Sequence, residues 1–225
     1  MTQRVYFDVA LCDPASRGER VLGGSNDLAS CPSTPLGRIV IGLYGKVVPF
    51  SVDSFTALVK AKAYSGTLFN RLSAGEYIQA GTPGPSRMGL VEAPMQDSRN
   101  PDTVNPAAFK LRHSRPGVVS LALSVDDGED ISPLAPLTRF RIITGPGPVP
   151  RLDGKDIVMG RVLQGLETVD AIRQVPTFAP TSTGKFYNQL AGGLGDKRAA
   201  FARGAWTKPR QTIVITDCGI DAAGP

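Results

Sequence analysis

The sequence is poor in the residues that metal centres and many nucleophilic sites use. Among its 225 residues there are three cysteines and a single histidine, His113. No Cys/His set has the spacing of a zinc site, and the glycine-rich stretch 192–197 lacks the spacing of a phosphate-binding loop. The sequence therefore predicts no metal and no cofactor. His113 has no Ser or Cys partner recognisable in the sequence and is predicted to be a structural hydrogen-bonding residue.

Long apolar runs and blocks of basic charge are also missing. No stretch approaches the roughly 20 apolar residues that a bilayer-spanning helix needs, so we expect a soluble protein without a membrane span. The formal net charge is +5, but Lys and Arg are scattered along the chain. This pattern favours solvated basic surface over a nucleic-acid site. The one dense charged run, 126–130, is acidic and is predicted to be an exposed loop.

The cysteines leave the redox state open. Cys12 and Cys31 bracket a segment rich in Gly, Ser and Asn that connects two apolar strands. Antiparallel pairing of those strands would bring the two residues near each other, and a disulfide there would contribute roughly 3 kcal/mol. Two reduced thiols in a loop are the alternative. Cys218, in the last apolar strand, is predicted to be a core residue.

Alternation of apolar and polar residues predicts a mainly β protein. The segments with this period are 4–11, 39–43, 67–72, 77–81, 118–124, 139–144, 157–162 and 212–218. Helical periodicity is clear in two places, one beginning at Ser51 as N-cap and one running from Leu166 to Ile172 before Pro176. Eight strands and two helices indicate a closed antiparallel barrel capped by a helix at each end.

The remaining segments are predicted to be insertions in a single domain that spans residues 1–225. They cover about 13–35, 83–106 and 176–209, and the first two are rich in turn-forming residues. The third precedes the last strand and has weak helical signals at 186–190 and 196–206.

Over most of its length the sequence resembles the cyclophilin family of peptidyl-prolyl cis-trans isomerases. The segments that carry the resemblance run in order along the chain: VYFDVA, LGRIVIGLYGKVVPFSVDSFTAL, YSGTLFNRLSAGEYIQAG, HSRPGVVSLALS, TRFRIIT, RLDGKDIVMGRVLQGLETVDAI and TIVITDCG. The resemblance implies an eight-stranded antiparallel cyclophilin-like barrel, in agreement with the strand count from periodicity.

The resemblance also implies a reaction and the residues that perform it. Cyclophilins catalyse rotation about X-Pro bonds, whose uncatalysed barrier is about 18–20 kcal/mol. In the family, an arginine after a Phe-His pair stabilises the twisted amide while the proline ring occupies an apolar, aromatic-walled pocket. That arginine is retained here as Arg71, although Asn70 replaces the histidine before it. The family's glutamine is retained as Gln79.

The walls of the proline pocket depart from the family pattern. The positions that match the groove are Glu76, Tyr77, Leu123, Arg139, Arg141, Arg151, Leu152 and Asp156. Charged residues stand at several positions where the family has aromatic or small polar ones, so we expect proline to bind poorly. The arginines either pair with Glu76 and Asp156 across the groove or line a site for an acidic peptide or anion.

The chain is further similar to divergent cyclophilin-like proteins of plant and algal chloroplasts, several of which belong to the thylakoid lumen. The leading hypothesis is a scaffold, assembly factor or accessory subunit of a larger photosynthetic complex, with weak or no isomerase activity. Its protein partner is expected to bind the aromatic residues of the third insertion, Phe186, Tyr187, Phe201 and Trp206. A flap that packs on its own barrel is the alternative for this insertion. An active isomerase using Arg71 is the alternative for the whole protein.

Overall fold

The computed structural model describes residues 1–12, 33–92, 100–123, 137–196, 199, 202 and 205–222. Within these ranges lie eight strands and three α-helices. The strands are β1 (Gln3–Cys12), β2 (Ser33–Leu43), β3 (Phe69–Ser73), β4 (Tyr77–Ala80), β5 (Val118–Ala122), β6 (Phe140–Ile143), β7 (Asp156–Gln164) and β8 (Ile213–Ile220). The helices are α1 (Pro49–Lys60), α2 (Leu166–Gln174) and α3 (Ser182–Gly193).

All eight strands form one antiparallel sheet, in the order β3-β4-β6-β5-β7-β2-β1-β8. The two end strands of this order approach each other, because Leu68 and Val214 form an isolated antiparallel bridge just before β3. The prediction of a mainly β, eight-stranded, barrel-like fold is confirmed. The predicted boundaries need one correction, since Ser33, Thr34 and Pro35 were expected in a loop and instead begin β2 opposite β1.

The inner face of this sheet holds a single large hydrophobic core. Its centre is a group of aromatic rings, where Phe140 lies 5.3 Å from Phe7 and 5.5 Å from Phe55 between ring centroids. Tyr64 completes the group and donates its hydroxyl hydrogen bond to the backbone oxygen of Thr138 at 2.9 Å. Cys218 is buried against this core, as predicted.

The start of α1 differs from the prediction. Ser51 is not the N-cap, because the helix begins at Pro49, whose fixed φ suits the first helical position. The backbone N–H and the hydroxyl of Ser51 both donate to Asp102 Oδ2, at 2.8 and 2.7 Å. The carboxylate of Asp102, distant in the sequence, therefore accepts a hydrogen bond from a backbone N–H of the first turn that has no acceptor within the helix. Local sequence periodicity does not indicate this contact.

The third insertion contributes α3, at the position of the first of its two weak helical signals. Between α3 and β8 the chain contacts β3, where the backbone N–H of Leu72 donates to the backbone oxygen of Thr207 at 2.7 Å. Phe201 and most of the second helical signal lie outside the described residues, as does the acidic run 126–130. Among the described residues, no helix combines the length and the apolar character needed to cross a membrane.

The structure describes one of the two cysteines of the predicted Cys12–Cys31 disulfide. Cys12 ends β1 and is disulfide-bonded, whereas Cys218 is a free thiol. Cys31 lies outside the described residues. The pairing of Cys12 with Cys31 therefore stays a prediction.

Candidate functional site

Four strands place polar side chains side by side on the outer face of the sheet. Arg71 on β3 is the register partner of Gln79 on β4, Gln79 is the partner of Arg141 on β6, and Arg141 is the partner of Ser120 on β5. Directly opposed residues of antiparallel strands point to the same side of a sheet. The retained residues Arg71 and Gln79 therefore share one row with Arg141.

The centre of this row is a buried ion pair. Arg141 Nη1 donates to Asp156 Oδ2 at 2.8 Å, and neither side chain has any exposed surface. Arg141 Nε donates to Gln79 Oε1 at 2.9 Å, and the Ser120 hydroxyl lies 3.4 Å from Asp156 Oδ2. Burial raises the pKa of Asp156, and the positive charge of Arg141 opposes this rise. Arg141, Asp156, Gln79 and Ser120 are called the Arg141 cluster below.

Arg141 also packs on an aromatic ring. Its guanidinium carbon lies 4.8 Å from the ring centroid of Tyr77, which is fully buried. Tyr77 belongs to a small apolar cluster with Ile143, Val149 and Leu152, separate from the main core. A cation over a buried ring in this geometry is stabilised by the ring quadrupole. The ring of Tyr77, the aromatic residue among the predicted groove positions, is therefore covered by Arg141 of the same chain.

A second arginine occupies the rim. Arg151 lies in a short 3₁₀ helix, Pro150–Leu152, and makes a two-pronged ion pair with Glu76 through Nε–H to Oε1 at 2.7 Å and through Nη2 to Oε2. The Ser73 hydroxyl donates to the same Oε2 at 2.6 Å. Both charged side chains keep about a third of their surface exposed. The pair closes the rim beside Tyr77, whose ring centroid lies 5.5 Å from the Arg151 guanidinium carbon.

The other predicted site residues lie at different depths. Arg139 is buried and directly precedes β6. Leu123 is fully buried and belongs to the main core rather than to the small cluster around Tyr77. Arg71 is partly buried, and its Nε–H donates to the hydroxyl of Thr207 at 3.2 Å. Sequence reasoning missed Thr207, and no local motif points to it.

Next to the Arg141 cluster, the buried His113 pairs with the partly exposed carboxylate of Asp153. The backbone N–H of His113 donates to Asp153 Oδ1 at 2.9 Å, and Nδ1 of the His113 ring lies 2.8 Å from the same oxygen. Burial works against the charge of Asp153, but these hydrogen bonds lower its pKa below the ordinary value. His113 is therefore a hydrogen-bonding residue, as predicted. Among the described residues, no group of three His, Cys, Asp or Glu side chains could hold a metal ion.

Comparisons with known proteins agree with the fold and with the resemblance. Residues 31–189 match the family model described as cyclophilin type peptidyl-prolyl cis-trans isomerase/CLD. The chain is 41% identical to the Arabidopsis thaliana peptidyl-prolyl cis-trans isomerase CYP28, chloroplastic, over 97% of this chain and 81% of the relative. It is 26% identical to CYP26-2, chloroplastic, of the same plant, over 85% and 67%. Identity to peptidyl-prolyl cis-trans isomerase B of Saccharomyces cerevisiae is 31%, over 78% and 71%.

Proposed function

The chain belongs to the cyclophilin-type peptidyl-prolyl cis-trans isomerase family, and we propose that it is a member with weak or no isomerase activity that serves as a scaffold, assembly factor or accessory subunit of a larger photosynthetic complex. The observation that carries this proposal is the Arg141 cluster. A paired guanidinium fills the space beside Tyr77 at a position where the family has a groove-facing aromatic residue.

Magnitudes favour a closed groove over one that opens for proline. Burying a proline ring against apolar walls is worth about 1.5–3 kcal/mol. Admitting the ring would require Arg141 to leave Asp156, and breaking a buried ion pair costs about 3–5 kcal/mol because one charge is left uncompensated. The cost exceeds the gain, so a prolyl peptide lacks the binding energy to displace Arg141.

The two retained family residues are engaged by the chain itself. Gln79 Oε1 accepts the hydrogen bond from Arg141, and Arg71 donates to Thr207 at the end of the third insertion. Their retention in adjacent register positions is the observation that favours the alternative, an active isomerase using Arg71. An anion or acidic-peptide site is less favoured, because Arg141 and Arg151 already face carboxylates.

The names of similar plant proteins support a proposal about location. Two of the similar plant proteins are named chloroplastic, one of them 41% identical over nearly the whole chain. We propose a chloroplast location for this chain, with the thylakoid lumen as the compartment. A protein partner, a subunit of a membrane complex, is part of the same proposal, and the third insertion is its binding surface.

A proline-peptide isomerisation assay tests the catalytic part of the proposal. We expect the wild-type protein to accelerate isomerisation no more than Arg71→Ala does. A reopened variant with Arg141→Phe, Asp156→His, Arg151→Trp and Glu76→Phe is expected to gain activity that a further Arg71→Ala removes. Circular dichroism establishes that each variant is folded. Wild-type acceleration that disappears in Arg71→Ala would show that the chain is a working isomerase.

The partner role is tested separately by the size of the native protein. Tagged wild-type chain expressed in chloroplasts is expected to migrate on native gels in a complex much heavier than its own 23.8 kDa. Migration as a free monomer in gently solubilised membranes and in the soluble fraction would contradict the accessory-subunit role, whatever the isomerase assay shows.

A further inference from the structure

The surface of α3 is unusual for a helix in a folded domain. Not one of its twelve residues is buried. Phe186, Tyr187 and Leu190 are exposed, by 59%, 65% and 51%, and Leu194 just after the helix by 86%. Short isolated helices are marginal in water, and most helices are held by packing of an apolar face. This apolar face therefore lacks, within the described residues, the cover that helices normally have.

The exposed residues form a stripe with a hollow in it. Phe186, Leu190 and Leu194 follow one another at intervals of four residues, the spacing of one helix face. Together with Gln189 and Gly193 they line an open, mostly apolar cavity of about 400 Å³. The hollow is shallow and open, and its apolar lining could contact an apolar side chain of another molecule.

Gly193 lines this hollow, and the described residues around it give no reason for a glycine. Its φ is not in the left-handed region, and a Cβ built on it would meet no atom within 4 Å. Glycine is one of the poorest helix formers, so alanine would suit the helix better. A glycine here leaves room for the close approach of another molecule.

Charge restricts the kind of molecule. Residues 176–209 contain five basic side chains, Lys185, Lys197, Arg198, Arg203 and Lys208, and one acidic side chain, Asp196. This segment has a net charge of +4, most of the +5 of the whole chain. Two copies of it would repel each other, which disfavours a symmetric dimer through α3. A bilayer offers negative charge but no side chain that fills a hollow, so an acidic protein surface fits better.

We propose that the Phe186–Leu190–Leu194 stripe docks an amphipathic helix of a protein partner. An apolar side chain of that helix enters the hollow beside Gly193, and Asp or Glu residues of the partner complement the net positive charge of the insertion. This inference rests on the proposed function, because it specifies the chemistry of the partner that an accessory subunit needs.

Photo-crosslinking in intact chloroplasts tests the surface. The full chain carries p-benzoylphenylalanine at Gln189, in the hollow, or at Gln174, an exposed glutamine of α2 that serves as the control. We expect the Gln189 probe to label one partner peptide that is apolar with flanking Asp or Glu, and the Gln174 probe not to label it. Gly193→Leu fills the hollow and is expected to reduce the adduct by about thirtyfold, the fold-change that corresponds to a hot-spot loss of about 2 kcal/mol. Gly147→Leu, at an open site outside α3, should leave it unchanged.

Several results would overturn the inference. They are adducts with lipid, adducts with a second copy of this chain, a labelled peptide without acidic residues, and labelling that Gly193→Leu does not reduce. Absence of an adduct at Gln189 from a chain that still migrates in a large complex would reject this surface and leave the proposed function intact. Migration as a free monomer would reject the proposed function itself.

Discussion

Removing one member of the buried pair Arg141–Asp156 should destabilise the protein far more than removing both. At 2.8 Å and an effective dielectric constant near 20, the attraction between the two charges is about 6 kcal/mol. Desolvating each ion costs several kcal/mol, so the intact pair is close to neutral overall. Asp156→Leu or Arg141→Met alone leaves a buried charge without this partner and should cost about 3–5 kcal/mol. The double variant replaces both charges by apolar groups and should lie much nearer to wild type.

Urea unfolding of the four proteins at neutral pH measures these differences. For a chain of this size, each kcal/mol corresponds to about 2–4 °C in Tm. In thermal unfolding, the Tm of each single variant should therefore be roughly 6–20 °C lower than that of the wild type. The exposed pair Arg38–Asp8 is the matched control, because its bidentate contacts at 2.7 Å are even shorter. Its coupling should not exceed about 1 kcal/mol, since solvent screens both charges.

The outcome depends on non-additivity. If the two single losses simply add in the double variant, then the charges at positions 141 and 156 are not coupled. The account of the groove as closed by an internal ion pair would then be wrong. A coupling of several kcal/mol at the buried pair and little at the exposed control would support it.

Two further predictions concern backbone strain and pH. Gly165 and Gly66 both have left-handed φ, but of the two only Gly165 would place a Cβ 2.1 Å from a backbone oxygen, that of Arg38. Gly165→Ala should therefore unfold at a clearly lower urea concentration than Gly66→Ala. Equal losses of stability in the two variants would contradict this. By NMR titration the pKa of Asp153 should lie below 3.8, so the stability from ionised Asp153 is present above pH 3.8 and is lost as pH falls through the lower folded pKa. His113→Ala keeps the backbone hydrogen bond and removes that of the ring, so the pKa should rise part of the way; an unchanged pKa would refute the contribution of the ring.

Most of the fold could be predicted from local patterns. Period-two alternation located all eight strands, because each buries one face against the same core. The errors lie where distant residues decide. Ser51 has the chemistry of an N-cap, but Asp102 serves the first turn of α1 from another segment. The start of β2 was missed because pairing with β1, rather than alternation, extends the strand to Ser33.

The composition of the site could be predicted, but its pairing could not. Sequence comparison with the family placed arginines and carboxylates in one groove and left open whether they pair or bind a ligand. Two carboxylates were available to Arg141, and strand register decides between them. Gln79 and Ser120 flank Arg141 on neighbouring strands, and Asp156 starts β7 beside β5. No spacing rule in the sequence contains that information.

The row of register partners also explains why reopening the groove requires substitutions in pairs. Phenylalanine at position 141 would remove the guanidinium from beside Tyr77, but it would leave Asp156 buried without the guanidinium it now faces. The same change would release Gln79 Oε1, which lies directly opposite Arg71 and could then support that arginine instead. One side chain, that of Arg141, therefore both lies beside Tyr77 and donates to the oxygen of Gln79. A groove closed in this way reopens only when position 156 changes together with position 141.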